Sequence, residues 1–521
     1  MRVVIVGAGA SGLQCANLLI SEHGYTADDL LILEARDRVG GRIHTTQEQR
    51  ISVSGDMREF SLDHGAAWVH GTGLEWGVNP DVSGSEKKVN PMVELLAAAT
   101  PLGESLYEKH LNHVFSGNPW LRPQTIAHDA SSIVLYIGGQ RIAKDSPLIP
   151  ASLGNYFDIL DQVSQVGDRM YDQGKGMETT KQSLQETIAQ VRIQLPGFSE
   201  SDSALIERLT DFHLHMIECW EGSSTAELQL CEFTLSSDED EGKFDEVYTA
   251  EGDFYGPHCT MRNGMETVLK PLLTEDIVSR IRLKESVTKI SSKDNLVTVK
   301  TSTGLTIHAD SCVVTMTVGC LQDAIGNQQL FQPTLSKEKL EAIGVMRMGS
   351  YKKVFLTFDH IFWSPKEAIL GMVRKTDRTG DDPLENTLLF DNLWALDGIP
   401  CIEAVLVGNV GHWFTHKSDD EIRNAVLEFM QEATGFVGNL GEHCVDCHVT
   451  RWEEDPYSKG SYSHMSLGAL SRHVDELGRP EWDGRLVLAG EATVLDYEGS
   501  VHAALISGRN AAQSVALGRQ N

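Results

Sequence analysis

The chain has 521 residues, too many for one ordinary core and enough for two domains that each bury a sizeable apolar interior. Its 41% hydrophobic and 23% charged residues are those of a globular protein, and no tract of about 18 apolar residues marks a membrane span. Lys plus Arg number 44 against 74 Asp plus Glu, a net charge of −30, which argues against nucleic acid or an anionic membrane as partner and favours a cationic ligand.

In chain order, an apolar strand over Arg2–Val6 runs into Gly7-Ala-Gly9-Ala-Ser11-Gly12, then an apolar helix from Leu13 to Ile20, then a second strand ending at Glu34. This is a βαβ unit, and with no basic n-region or long apolar h-region before it, no signal peptide is expected. The last four residues, Gly-Arg-Gln-Asn, are no peroxisomal address, so a cytoplasmic location is the expectation. Helical patterns are expected to dominate from about 91 to 245, with an exposed acidic loop around 236–246. Strand alternation returns at Val287–Ile290, Leu296–Lys300 and Ser311–Met316. The nine cysteines are dispersed among apolar segments, as buried thiols in a reducing compartment would be. Cys444 and Cys447, flanked by His443 and His448, have half of a zinc-site spacing; without a second ligand pair they read as a half-buried strand, and no metal is expected.

The glycine turn carries the first chemistry. Gly7 permits the tight turn, Gly9 lets the backbone approach a pyrophosphate, and Gly12 allows close helix-to-strand packing, while the helix N-terminus offers an anion site. Glu34, at the end of the next strand, is placed to accept from an adenosine ribose. A carboxylate there repels a 2′-phosphate, which disfavours NADP and leaves NAD or FAD.

The following stretches, Glu34-Ala35-Arg36 through Gly40-Gly41-Arg42 and Gly65-Ala-Ala67-Trp68-Val69-His70-Gly71, resemble the flavin amine oxidase family. The resemblance recurs in order along nearly the whole chain. It includes Val287–Ile290, the segment Val313–Gly319 with Val318 in place of the usual proline, and the lysine segment Met348–Phe355. It ends with Trp452 to Tyr462 and with Gly490-Glu491 to Gly508. It implies an α/β fold in which a discontinuous Rossmann-like FAD-binding domain (1–90, 245–325 and 450–521) is interleaved with an α+β substrate-binding domain (91–244 and 326–449).

By the same resemblance, FAD contacts fall on Gly7, Gly9, Ser11, Gly12, Glu34, Ala35, Arg36, Gly41, Arg42, Ala67, Trp68, Val69, Val287, Trp452, Gly490, Glu491, Ser500 and Val501. Lys353 matches the family's flavin-facing lysine; burial lowers a lysine's pKa, and such a residue holds a water near flavin N5. Tyr462 matches an aromatic wall beside the reacting amine, with Tyr351 near it. Two departures from monoamine oxidases matter. Ser461 stands where they join a cysteine to the flavin, so FAD is expected to be non-covalent, and Ser500 stands where they close an aromatic cage. That open wall, with His70 in Trp-Val-His-Gly, resembles animal and yeast polyamine oxidases. Glu227, in Ser223–Leu230, loosely resembles a spermine-oxidase carboxylate that meets a distal ammonium.

The reaction implied is hydride transfer from the carbon next to a polyamine nitrogen to flavin N5, hydrolysis of the imine, and reoxidation by O2 to give H2O2. A polyamine and O2 are then the only partners required, and a monomer is the working expectation. Outside the family frame, Lys353 reads as a solvated charge, Tyr462 as core, His70 as a satisfied core histidine and Glu227 as a surface carboxylate. Three further readings stand beside the first: an L-amino-acid oxidase with Arg262 or Arg347 on the substrate carboxylate, a histone lysine demethylase, and a catalytically silent flavin-binding protein.

Overall fold

A computed structural model of the chain describes residues 3–51, 57–70, 90–98, 121–123, 133–172, 181–195, 202–230, 259–261, 263–326, 330–375, 384, 386–495 and 497–518. The acidic stretch 236–246 and Arg262 lie outside these residues.

Five short strands form an all-parallel sheet in the order Ile281–Arg282, Leu30–Leu33, Val3–Val6, Ser311–Val314, Leu486–Leu488. Its central strands Leu30–Leu33, Val3–Val6 and, after Ser311, Cys312–Val314 read as apolar runs because a parallel sheet is covered on both faces. The helices Ala10–Ser21 and Val501–Gly518 cover one face. They cross closely, since a Cβ on Gly508 would lie 2.4 Å from the Ser11 carbonyl oxygen. A four-stranded sheet built on Val287–Lys293, Leu296–Thr301 and Thr306–Ala309 shares the core of the other face. Strands far apart in sequence thus converge around the first glycine turn.

A second sheet has seven strands, in the order Cys444–Val449, Tyr351–Phe358, Cys401–Val407, Thr387–Asn392, Ile369–Val373, Ile133–Ile137, Gln140–Arg141. Its pairs are antiparallel except Ile369–Val373 with Ile133–Ile137. Period-two alternation gives its central strands two different faces. Val354, Leu356, Phe390 and Ala404 pack with Phe429 and Met430 of the helix Asp419–Thr434. Leu389, Val405 and Tyr351 pack with Leu209 and Phe212 of the helix Ser203–Glu221. Lys352 and Lys353 therefore point opposite ways: Lys352 pairs with Glu453 at 2.8 Å on the first face, and Lys353 joins the second.

The region 91–245 contains the expected helices, Pro91–Ala98, Leu148–Asp172, Leu184–Arg192 and Ser203–Glu221, but also the strand Ile133–Ile137. That strand, Ile-Val-Leu-Tyr-Ile, shows no alternation because it is buried along its length, and periodicity alone does not separate it from a helix turn. The stretch Cys444–Val449 is the expected half-buried strand, pairing with Val354–Phe358. The seven cysteines whose side chains are described are free thiols.

Candidate active site

One cavity of about 1190 Å³ runs from the first glycine turn to the second sheet. At its nucleotide end the helix Ala10–Ser21 starts at Gly9 with no side-chain cap, so the N–H groups of its first turn are left for a ligand. Gly7 holds φ +106°, and a Cβ there would lie 2.3 Å from the Thr315 hydroxyl. Gly12 lies outside the cavity lining and serves packing instead, a Cβ on it falling 2.1 Å from the Gly7 carbonyl oxygen. Glu34 is fixed by backbone N–H groups of Ala8 (2.8 Å) and Arg36 (2.9 Å), so its carboxylate is aimed before any ligand arrives. Ser11 lines the cavity but ties its hydroxyl to that of Ser507 at 2.8 Å.

Arg36 donates to Asp455 (2.6 Å) and Ser458 (2.8 Å). Arg42 donates to the Ser461 carbonyl (3.0 Å) and to Glu491 (2.6 Å). Burial alone would raise the Glu491 pKa, yet Arg42 and the Ser463 hydroxyl hold it below the ordinary carboxylate range. Glu491 also accepts from Gly499 N–H at 2.8 Å, which fixes the loop before the last helix. Ser500 caps that helix by accepting from Ala503 N–H at 3.0 Å. Trp452 donates its indole N–H to the His64 carbonyl at 2.8 Å. Gly41, Ala35, Ala67, Trp68, Val287, Gly490 and Val501 complete this wall. Val69 does not: strand alternation turns it into the core, fully buried, while Trp68 faces the cavity.

At the other end, Lys353 Nζ donates to the Asp63 carbonyl at 3.0 Å and lies 3.2 Å from Glu403. Tyr351 and Tyr462 stand beside it with ring centroids 6.0 Å apart. Tyr462 is clamped: its hydroxyl donates to the Cys219 carbonyl at 2.9 Å, and a Cβ on Gly222 or Gly499 would come within 2.7 or 2.9 Å of its ring. Burial pushes both phenols well above their ordinary pKa. The His70 ring lies 5.5 Å from Trp220 and 6.4 Å from His502. Burial, with His70 beside it, pushes His502 down to about 3, and burial with His448 and His44 does the same to His64.

Glu227 is corrected by the structure. The turn Ser224–Glu227 sends Leu228 and Gln229 into the cavity and leaves Glu227 exposed, bonded to the Ser223 hydroxyl at 3.4 Å. Of the carboxylates that do line the cavity, Glu34 and Glu491 were singled out from sequence, and Glu221, Glu285, Asp391 and Glu498 were not. Asp391 and Glu403 are register partners on neighbouring strands and share the face of Lys353. Tyr497 and Trp220 were missed as well, and Tyr497 supplies an aromatic side chain three residues before Ser500; His502, part of the matched C-terminal motif, also lines the cavity. Arg347, the described arginine considered for a substrate carboxylate, is exposed and donates to the Gly344 and Met346 carbonyls. The arginines that line the cavity, Arg36 and Arg42, are both at the nucleotide end.

A family model described as flavin containing amine oxidoreductase matches residues 120–516, and one described as an NAD(P)-binding Rossmann-like domain matches residues 5–78. The chain belongs to the flavin-containing amine oxidoreductases: it is an oxidoreductase of α/β fold whose cofactor is FAD.

Among curated proteins it is similar to polyamine oxidase 5 of Oryza sativa subsp. japonica, 28% identical over 520 residues covering 98% of this chain and 87% of that one. It is similar to probable polyamine oxidase 4 of Arabidopsis thaliana, 26% identical over 515 residues, 98% and 86% of the two chains. It is also similar to lysine-specific histone demethylase 1 homolog 3 of Arabidopsis thaliana, 26% identical over 530 residues, where it covers 97% of this chain but spans only 29% of the relative.

The residues present fit FAD. An uncapped helix N-terminus meets the cavity beside Gly9 and Gly41, and a Cβ on Gly490 would project into open space there, a cradle for a close-lying ligand.

Proposed function

We propose that the chain is an FAD-dependent oxidase of polyamines that releases hydrogen peroxide. The observation that carries this reading is which acidic and basic side chains line the amine end. Glu221, Asp391 and Glu498 line it, and among the described residues no guanidinium does. An amino-acid substrate needs a cation for its carboxylate, whereas a desolvated ammonium needs a carboxylate partner. The near end-to-end match with the plant polyamine oxidases supports the same choice.

In this reading Glu34 would hold the adenosine ribose and the helix start at Gly9 the pyrophosphate, with Trp68 and Gly490 among the residues that would hold the rest of FAD. Bound FAD supplies a hydride acceptor for the carbon next to nitrogen and a route for the electrons to dioxygen. The chain supplies position and electrostatics. Tyr351 and Tyr462 form an apolar slot that excludes water from the reacting carbon, and the two flanking glycines keep the Tyr462 ring in one place. Lys353, held by the Asp63 carbonyl, orients a water at the face of the slot. Ser461 exchanges hydrogen bonds with the Tyr351 backbone, accepting at 2.8 Å and donating at 3.0 Å, so it is a structural tie and FAD stays non-covalent.

The demethylase relatives favour a second substrate on the same chemistry, a methylated lysine side chain. Peroxide release by purified protein separates the two, using spermine, N-acetylspermine, spermidine, tyramine, lysine and a dimethyl-lysine peptide. The polyamines alone should react. Reaction of the peptide alone, or of tyramine or lysine alone, would refute the polyamine reading.

A further inference from the structure

Amine oxidation has a requirement that the slot and the cofactor do not meet. A polyamine nitrogen arrives as an ammonium, yet loss of hydride from its neighbouring carbon is driven by a free electron pair on nitrogen. A proton must therefore leave inside the cavity, where Glu221 is one buried carboxyl, pushed up to about 7 by burial, and most of the other titratable groups are unable to take it. His64 and His502 are held down to about 3, and Tyr351 and Tyr462 are phenols pushed upward. Lys353 already donates to the Asp63 carbonyl and faces Glu403.

Two buried carboxyls stand on the cavity floor. Asp391 lies on the strand Thr387–Asn392 and Glu403 on Cys401–Val407, strands that otherwise turn Leu389, Val405 and Val407 inward, with Thr387 and Cys401 at their far ends. The two are direct register partners, which places their Cβ atoms about 5 Å apart on one face. Asp391 is 5% exposed and Glu403 4%, and Asp391 lines the cavity. The groups that face the pair are Lys353, Tyr351 on the same strand, Asp63 and the Trp68 indole. With both carboxyls ionised, one ammonium faces two negative charges, so the floor is short of one positive charge.

Resting on the amine-oxidase reading, we propose that Asp391, with Glu403 behind it, is the acceptor of the substrate ammonium's proton. One ammonium N–H bond breaks and its electron pair stays on nitrogen, while an Asp391 oxygen forms the new O–H bond and donates it to Glu403. Charge balances: ammonium, Lys353 cation and two carboxylates become neutral amine, Lys353 cation, one carboxyl and one carboxylate. Burial and the mutual repulsion of the pair, opposed by Lys353, push Asp391 up to about 8, and burial raises Glu403 as well. A proton taken from the ammonium is thus retained on the pair, and the doubly ionised acceptor form is the alkaline one.

The test uses the FAD-loaded protein. Its anaerobic bleaching by spermine is followed from about pH 6 to about pH 10, alongside Asp391→Asn, Glu403→Gln and Glu221→Gln. The second-order bleaching rate of wild type should rise through about pH 8. In Asp391→Asn the rise should move to the amine's own, more alkaline pKa and follow that pKa when another amine is used. In Glu221→Gln the position of the rise should stay as in wild type, although that carboxylate also lines the cavity.

Infrared spectra without any amine supply a readout independent of turnover. A carboxylic-acid C=O band should disappear from wild type as pH is raised and be missing from Asp391→Asn. If wild type bleaches but Asp391→Asn keeps its rise, or if Glu221→Gln moves it, the proposal is overturned while the oxidase reading stands. If no amine bleaches wild type, the oxidase reading falls and takes this inference with it.

Discussion

Replacing Asp391 by Asn should make the protein more stable and less active, and the size of the first effect follows from the site. Burial beside Glu403 raises the Asp391 pKa from 3.8 to about 8, so the folded state binds its proton more tightly than the unfolded chain does. For a group raised in this way, stability is fully present below the unfolded value and is lost as pH rises through the folded one. Relative to a permanently neutral Asn, the cost of Asp391 is of order 2 kcal/mol at about pH 5, 4 at about pH 7 and 6 at about pH 9. The direction and the growth with pH are fixed by the sign of the shift. Urea unfolding of the FAD-loaded protein at the three pH values, read by tryptophan fluorescence, measures the difference. A gain that increases with pH is expected. An Asn variant no more stable than wild type at alkaline pH, or a gain that shrinks with pH, would refute the reasoning.

Four other outcomes follow from the same geometry. Gly499→Ala forces a Cβ to within 2.9 Å of the Tyr462 ring at φ +83°; it should cost about 1 kcal/mol in backbone strain and lower turnover about tenfold by moving the ring, measured as kcat. Glu491→Gln breaks the buried pair with Arg42 and should cost about 3 kcal/mol. Because the Glu491 pKa is depressed, that stabilisation is present above the unfolded value and lost as pH falls through the folded one, so wild type and variant should converge in acid-unfolding curves. Tyr462→Phe loses one 2.9 Å hydrogen bond to the Cys219 carbonyl and should lower stability by about 1 kcal/mol in the same unfolding assay. Arg347→Ala should leave polyamine turnover unchanged, since its guanidinium is spent on the Gly344 and Met346 carbonyls at the surface.

The nucleotide half was legible because its signals are local. A strand, a Gly7-Ala-Gly9-Ala-Ser-Gly12 turn, a helix and Glu34 lie within one short stretch, and Gly7 and Gly12 have the steric reasons that their spacing implies. Lys353 and Tyr462 were legible only through resemblance, because their meaning comes from strands and helices that meet from distant segments. Asp391 and Glu403 show why the rest was hidden. Each is a single acid in an apolar strand, and only the register between Thr387–Asn392 and Cys401–Val407 makes them neighbours. Glu227 failed for the opposite reason: its segment does reach the cavity, but a one-residue difference in a turn decides which side chain faces inward. Val69 was lost to strand alternation in the same way.

The most direct test of the account is anaerobic mixing of the purified yellow protein with spermine, wild type against Lys353→Met, with tryptophan fluorescence confirming that the variant is folded. Rapid bleaching of the wild-type flavin, slowed at least about tenfold in the variant, is the predicted result. A wild-type flavin that stays yellow with spermine, or a variant that bleaches as fast as wild type, would contradict it.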